Sequence, residues 1–246
     1  MRVSLVTGAG AGIGAAVARR LSVRGDRIMC ADRDGSAAAA VAEELGGPGR
    51  AIAVAVDVAT EGAGEAAVGA ALAAFGRLDA VVACAGVERT APAHEMPTGT
   101  VRDVLAVNVL GSFDVATAAA RAMRAQEGGG SVVLVGSVTS FRALPGGAAY
   151  ATSKGAVLML AKALAVDWAP DGITVNVVAP GVTDTAMSAA SLGDPERREA
   201  LLARVPMRRP GRPEDIAAAV AFLTSPEAGY ITGACLPVDG GWLAAG

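Results

Sequence analysis

Short apolar runs alternate with helical stretches along almost the whole chain, and that alternation restricts the fold more than any other feature. Val3 to Thr7 reads as a buried strand, followed at once by Gly8-Ala-Gly10-Ala-Gly12-Ile13-Gly14 and a helical pattern through Arg24. A second strand, Arg27 to Ala31, ends at Asp32, and a third, Ala51 to Val56, ends at Asp57 before a helix from Gly64 to Phe75. Leu78 to Ala83 runs into Cys84-Ala85-Gly86, and Thr98 to Gln126 is a long helical region. Val132 to Val135 leads to Ser137, the next helix carries Tyr150 and reaches Trp168, and Ile173 to Val178 ends in Pro180-Gly181. A last helix starts at Pro213, and a last strand, Cys235 to Val238, precedes Asp239. Parallel strands cannot be joined by tight turns, so this order predicts an α/β fold. It has one parallel sheet of about seven strands with helices on both faces. No linker, repeat or low-complexity segment divides it, and residues 1–246 read as a single domain.

Composition removes several function classes. Of the 246 residues 52% are hydrophobic, but Ala supplies much of that and aromatics are only 3%, which suits close helix–sheet packing. No uninterrupted apolar stretch approaches the roughly 18 residues of a membrane helix. Met1-Arg2 passes directly into a strand pattern, leaving no room for a signal peptide. A cytoplasmic protein without a membrane partner is therefore expected. A net charge of −3 provides no basic footprint for nucleic acid. The three cysteines, Cys30, Cys84 and Cys235, are widely spaced and read as reduced thiols. His94 is the only histidine, so no metal site is predicted and a Ser-His-Asp triad is excluded.

The motifs fall at strand ends. Strand, glycine-rich turn and helix together open a dinucleotide-binding unit, in which Gly8, Gly10, Gly12, Ile13 and Gly14 let a pyrophosphate approach the helix N-terminus. Asp32 lies where an acidic residue holds the adenosine ribose hydroxyls, although as a cap for the following helix it would look the same. Its neighbour Arg33 points to the opposite choice, since an arginine pairs with a phosphate. Tyr150 and Lys154, at i and i+4, share one helix face. The ammonium favours phenolate, which predicts a tyrosine pKa below its ordinary value of about 10. Alone, that pair is an ordinary helix feature. Ser137, thirteen residues before Tyr150, sits at a strand's carboxyl end, where open α/β sheets place ligands. From Val182 to Arg212 the pattern loosens around an Asp194-Pro195-Glu196 helix start, and residues 183–212 read as a substrate lid or a surface excursion.

In this order and at these separations the motifs resemble those of the short-chain dehydrogenase/reductase family, from Val3 to about Gly241. The resemblance rests on Thr7-Gly8-x-x-x-Gly12-x-Gly14, on Ser137 with Tyr150-x-x-x-Lys154, and on Asn108. It rests also on Asn176, Pro180-Gly181, Tyr230-Ile-Thr-Gly233 and Val238-Asp-Gly-Gly241. It implies a doubly wound Rossmann fold and hydride transfer between a nicotinamide and a secondary alcohol or ketone. Tyr150 would exchange the proton, Ser137 would hold the substrate oxygen, Lys154 would bond the nicotinamide ribose, and Asn108 would anchor a water. By the same resemblance Val182 and Thr183, after Pro180 and Gly181, contact the nicotinamide amide. Asp57 and Val58 flank the adenine, and Ala85 and Gly86 approach its ribose. Where the family often has Asn-Asn-Ala-Gly this chain reads Ala83-Cys84-Ala85-Gly86, which predicts a less rigid loop.

The two remaining choices follow from this. Asp32 favours NAD over NADP, and Asp171 stands where carrier-docking members place a base. An NAD-dependent dehydrogenase of a small or medium secondary alcohol is thus expected. An NADPH-dependent 3-oxoacyl-carrier-protein or polyketide reductase is the alternative, and a non-catalytic dinucleotide sensor a more distant one. Pocket walls are expected from Glu88 to Ala91, Thr139 to Leu144 and the lid. The Tyr150 helix is apolar almost all round, and with Trp242-Leu243 as a second patch it predicts a homotetramer.

Overall fold

A computed structural model describes residues 1–126 and 128–245. Seven strands are joined by nine α-helices among the described residues. They run β1 (Val3–Thr7), α1 (Gly12–Arg24), β2 (Arg27–Asp32), α2 (Gly35–Glu44), β3 (Ala51–Ala55), α3 (Ala63–Phe75) and β4 (Ala80–Ala83). Then come α4 (Thr98–Leu105), α5 (Ser112–Arg124), β5 (Gly130–Val135), α6 (Ala148–Trp168) and β6 (Ile173–Pro180). The chain finishes with α7 (Ala189–Gly193), α8 (Pro195–Leu202), α9 (Pro213–Leu223) and β7 (Cys235–Val238). The sheet order is β3-β2-β1-β4-β5-β6-β7, with every pair parallel. The order reverses between β1 and β4, so a crevice opens at the carboxyl ends of those strands.

Successive strand residues face opposite sides of the sheet, and the core divides accordingly. Leu5, Val81, Val132, Leu134 and Val177 pack with α3, α5 and α6. Val6, Val82, Val133 and Val178 pack with α1, α2 and α9. Each fully buried Leu, Ile or Val contributes roughly 1.5 to 3 kcal/mol. Small side chains let the layers close up. A Cβ on Gly64 would stand 2.4 Å from the Asp114 carbonyl oxygen, so α3 and α5 touch backbone to backbone there. Buried Asn176 staples β6 to the turn before β7, donating to the Ile231 carbonyl at 2.7 Å and accepting from Ala234 N at 3.0 Å.

The predicted boundaries shift by a residue or two, and the long helix differs in kind. Thr98–Arg124 is not one α-helix: a π-helical segment, Ala106–Gly111, separates α4 from α5 and carries Asn108. By length and a mean hydropathy of 1.3 this helical run could cross a membrane, whereas the sequence suggested no such stretch; half of that window is buried inside the protein. Trp242, expected on an outer contact patch, is itself buried, packed against Val138 and Val205.

Candidate active site

The cleft begins at the turn after β1. No side chain caps α1, whose first amide groups therefore face the crevice with the positive end of the helix dipole behind them. Gly14 allows this geometry, since a Cβ there would lie 2.0 Å from the Gly8 carbonyl oxygen. Asp32, at the end of β2, accepts from Gly10 N at 2.9 Å and from Asp34 N at 3.0 Å. The helix cap is Asp34, whose carboxylate accepts from Ser36 N and Ala37 N, so Asp32 is left to the crevice. Arg33 is exposed and Asp32 half-buried, and both line the cleft. An open helix terminus, a backbone cradle that a methyl group would fill and a fixed carboxylate together fit the pyrophosphate and ribose of a dinucleotide.

The loop after β4 lacks the family's asparagine, but it is not slack. Thr7 Oγ1 accepts from Cys84 N at 3.1 Å and from Ala85 N at 3.2 Å, tying the loop to β1. Asn108 holds its continuation: Oδ1 accepts from Val87 N at 2.8 Å, while Nδ2 donates to the Val87 carbonyl and to Ser153 Oγ, each at 2.9 Å. Both amide hydrogens are thereby used within the protein. The π-helical turn brings Asn108 to this clamp, and Ser112 Oγ donates to its carbonyl at 2.8 Å.

Ser137, Tyr150 and Lys154 meet in this cleft with the glycine turn. Ser137 is buried just beyond β5, its Oγ accepting from Thr139 N at 3.1 Å. Ser140 Oγ donates to the Lys154 carbonyl at 2.8 Å and so fastens this loop to α6. The Lys154 ammonium donates to the Val135 carbonyl at 2.7 Å and stands 5.6 Å from the Tyr150 ring centroid.

That placement corrects the expected electrostatics. The ammonium covers the ring instead of meeting the hydroxyl, and burial raises the phenol above its ordinary range. The Glu88 carboxyl pushes in the same direction as burial, then Cys84 more weakly, and the Ser137 hydroxyl opposes them. Burial instead lowers Lys154 to about 8, against the pull of Cys84 and Glu88. The Cys84 thiol is pushed up to about 12, again by burial, and is held as a neutral wall group.

The cleft measures about 720 Å³. Of the cofactor residues anticipated from sequence, Gly8, Gly12, Ile13, Gly14, Asp32, Arg33, Asp57, Val58, Ala85 and Gly86 line it, as do Pro180, Gly181, Val182 and Thr183. Gly10 does not; it lies beneath Asp32, where a Cβ would be 3.0 Å from the carboxylate. Asn108 acts from behind the wall. Of the expected wall segments, Glu88, Thr90, Thr139 and Leu144 face the space, as do Thr185, Ala186, Met187, Ser188, Ser191 and Leu201 of residues 183–212. Trp242 lines it without having been anticipated. Nothing local in sequence marks it, because glycines at the chain's end carry Trp242 back to the cleft.

The chain is similar to known proteins along nearly its whole length. The family described as enoyl-(acyl carrier protein) reductase matches residues 8–243. The 2-(R)-hydroxypropyl-CoM dehydrogenase of Xanthobacter autotrophicus is 40% identical over 248 residues, covering 99% of each chain. The crystal structure of a gluconate 5-dehydrogenase from Burkholderia cenocepacia, in complex with NADP and tartrate, superposes with a TM-score of 0.94. It is 36% identical and covers 99% of this chain and 95% of that one. A 3-ketoacyl-(acyl-carrier-protein) reductase from Brucella melitensis, complexed with NADH, gives a TM-score of 0.91 at 34% identity, with 98% of each chain covered.

Proposed function

Because the chain belongs to the short-chain dehydrogenase/reductase family, and the relatives it matches are named as a hydroxypropyl-CoM dehydrogenase, a gluconate dehydrogenase and a ketoacyl reductase, we propose that this cleft interconverts a secondary alcohol and a ketone through Ser137, Tyr150 and Lys154. The observation that carries this reading is their convergence beside the glycine turn and Asp32 in one crevice. The nicotinamide, when bound, supplies or accepts the hydride. The chain's own residues handle the rest. Ser137 and Tyr150 donate hydrogen bonds to the substrate oxygen, and Tyr150 gives or takes its proton. Lys154, anchored on Val135, is the cleft group poised to titrate near neutral pH. The glycine turn holds the pyrophosphate, Asp32 the adenosine ribose, and Val182 and Thr183 the nicotinamide end. Assays of secondary alcohols and ketones with each cofactor test this reading. Cofactor binding without turnover of any of them would leave a dinucleotide sensor instead.

Asp32 supports NAD as the preferred cofactor. Its carboxylate is held in place by two amides, and a 2′-phosphate there would meet like charge in a shielded crevice. Similar structures carry NADP in one case and NADH in another, so the choice rests on this chain's own residues. We expect kcat/KM with NAD to exceed that with NADP by about tenfold or more, roughly 1.4 kcal/mol per decade. Asp32→Ala should narrow the gap. An unaltered enzyme that prefers NADP would assign control to Arg33.

A small alcohol suits the surface better than an acyl carrier does, because Asp171 is an acid and pairs with Arg124 at 3.0 Å. Residues 183–212 act as a lid. Its ends are stitched together, with Asp184 N donating to the Gly211 carbonyl at 2.9 Å and Gly211 N to the Val182 carbonyl at 2.8 Å. Between them, Met187 and Leu201 reach the cleft. Outward-facing apolar residues on the π segment, α5 and α6 (Leu110, Phe113, Met159 and Val166) support packing against further copies, as a homotetramer. Light scattering at micromolar concentration should give four times the chain's 24.2 kDa; a monomer mass rules the assembly out.

A further inference from the structure

A second cavity, of about 520 Å³, lies beside the substrate cleft, and Arg142, Arg204 and Arg208 are among the residues that line it. Leu144 and Trp242 line both spaces, so one wall divides them. Among the described residues, none of the three guanidinium groups forms an ion pair or a side-chain hydrogen bond, and no acid lines the cavity. Nearby arginines differ: Arg197 pairs with Asp194 at 3.8 Å and Arg209 with Asp215 at 2.8 Å. Residues 194–212 hold six arginines against three acids, in a chain whose net charge is −3. Positive charge is thus gathered at this cavity in an otherwise acidic protein.

The cavity walls are anchored. Met207 N donates to the Gly240 carbonyl at 3.2 Å, and a Cβ on Gly240 would lie 2.7 Å from Val205 Cγ1. The strap between Arg204 and Arg208 therefore sits directly on the turn before Trp242. Asp239 holds that turn, its carboxylate accepting from Gly241 N and Leu243 N, each at 2.9 Å. Arg142 N donates to the Val138 carbonyl at 3.2 Å. Arg208 has a φ of 55°, the one non-glycine residue at positive φ among the described residues. A side chain is strained in that region, and such residues gather at binding sites.

Three like charges around one concavity repel one another and raise the local potential. An anion seated among them relieves the repulsion. The guanidinium fork matches the oxygens of phosphate or sulfate two at a time, and three cations suit a dianion better than a single carboxylate. A concavity of small-molecule size suits a small anion, not nucleic acid or an acidic carrier protein.

We propose that Arg142, Arg204 and Arg208 form a binding site for a doubly charged oxyanion, phosphate or sulfate, next to the substrate cleft. The anion is either free or the charged end of a molecule whose carbinol lies beyond Leu144 and Trp242, at Tyr150. The second case rests on the oxidoreductase reading above; the binding itself does not.

Calorimetric titration of the full chain with inorganic phosphate, and separately with sulfate, tests the site, with sodium chloride at matched ionic strength as control. We expect one site with a Kd of about 1 mM or below. Arg142→Gln, Arg204→Gln and Arg208→Gln should each weaken it about tenfold or more, as loss of a charge-assisted hydrogen bond does. Arg208→Gly supplies a readout that a merely structural arginine would not give. It should weaken phosphate binding equally without lowering the melting temperature, because glycine adopts this φ without strain. Turnover then separates the sources. If the anion belongs to the substrate, 2-hydroxypropyl phosphate should exceed 2-butanol in kcat/KM by about 100-fold. Inorganic phosphate should then compete with it, and Arg208→Gln should remove the preference. If the anion is free, phosphate binds as tightly but the two alcohols are used alike. Either result supports the site. Heats of phosphate binding no larger than those of chloride overturn it, and so does binding that all four variants leave intact. Absence of turnover with any alcohol and either cofactor overturns the oxidoreductase reading alone, since the titration decides the site.

Discussion

Tyr150→Phe should lower kcat by about 100- to 10,000-fold, the usual contribution of a positioned acid or base, while leaving the dissociation constant for the cofactor almost unchanged. The substitution removes one oxygen and keeps the ring. Lys154 keeps its bond to the Val135 carbonyl, and the glycine turn and Asp32 are untouched. Stopped-flow turnover and calorimetric cofactor binding on the same sample separate the two effects. Wild-type turnover in the variant would remove Tyr150 from the mechanism. The pH dependence of the unaltered protein follows from Lys154, which burial holds at about 8. Alcohol oxidation releases a proton, so its rate should rise as pH climbs through that value and then level off. Ketone reduction consumes one and should fall over the same range.

Gly14→Ala is expected to weaken cofactor binding at least about 100-fold, because the methyl group has nowhere to go. It would lie 2.0 Å from the Gly8 carbonyl oxygen and 2.6 Å from its carbon, both backbone atoms fixed between β1 and α1. The turn must open, and the amides of α1 then lose their aim at the pyrophosphate. Forcing an extra methyl into such a contact costs about 1 to 3 kcal/mol or more of stability. Gly69→Ala supplies the control. Gly69 lies in α3 with open space around its Cβ position, so alanine there should be neutral or stabilise by about 0.5 to 1 kcal/mol. Calorimetric titration with NAD and thermal melts of both variants check the pair. Unchanged cofactor affinity in Gly14→Ala would mean that the turn does not hold the dinucleotide.

The sheet was legible because strand and helix periods are local properties, and Val132 to Val135 could hardly be anything but a buried strand. The π-helical turn at Asn108 was not legible, since one extra residue in a helix leaves the apolar pattern nearly intact. Asp32 could equally be read as the cap of the following helix until the structure gave that work to Asp34. The direction in which the Tyr150 pKa moves escaped the sequence for a related reason. Spacing sets which residues share a helix face, but burial and Glu88, distant in sequence, decide the phenol's pKa. Trp242 belongs to the same class, its place fixed by what folds over it.

The central claim is that this cleft moves a hydride from a carbinol carbon to a nicotinamide. Its most direct test is turnover of 2-deuterated 2-butanol followed by mass spectrometry of the cofactor. The account predicts one deuterium in each reduced nicotinamide, and none when unlabelled 2-butanol is oxidised in deuterated water. Reduced cofactor without the substrate's deuterium, or carrying deuterium taken from solvent, would contradict it.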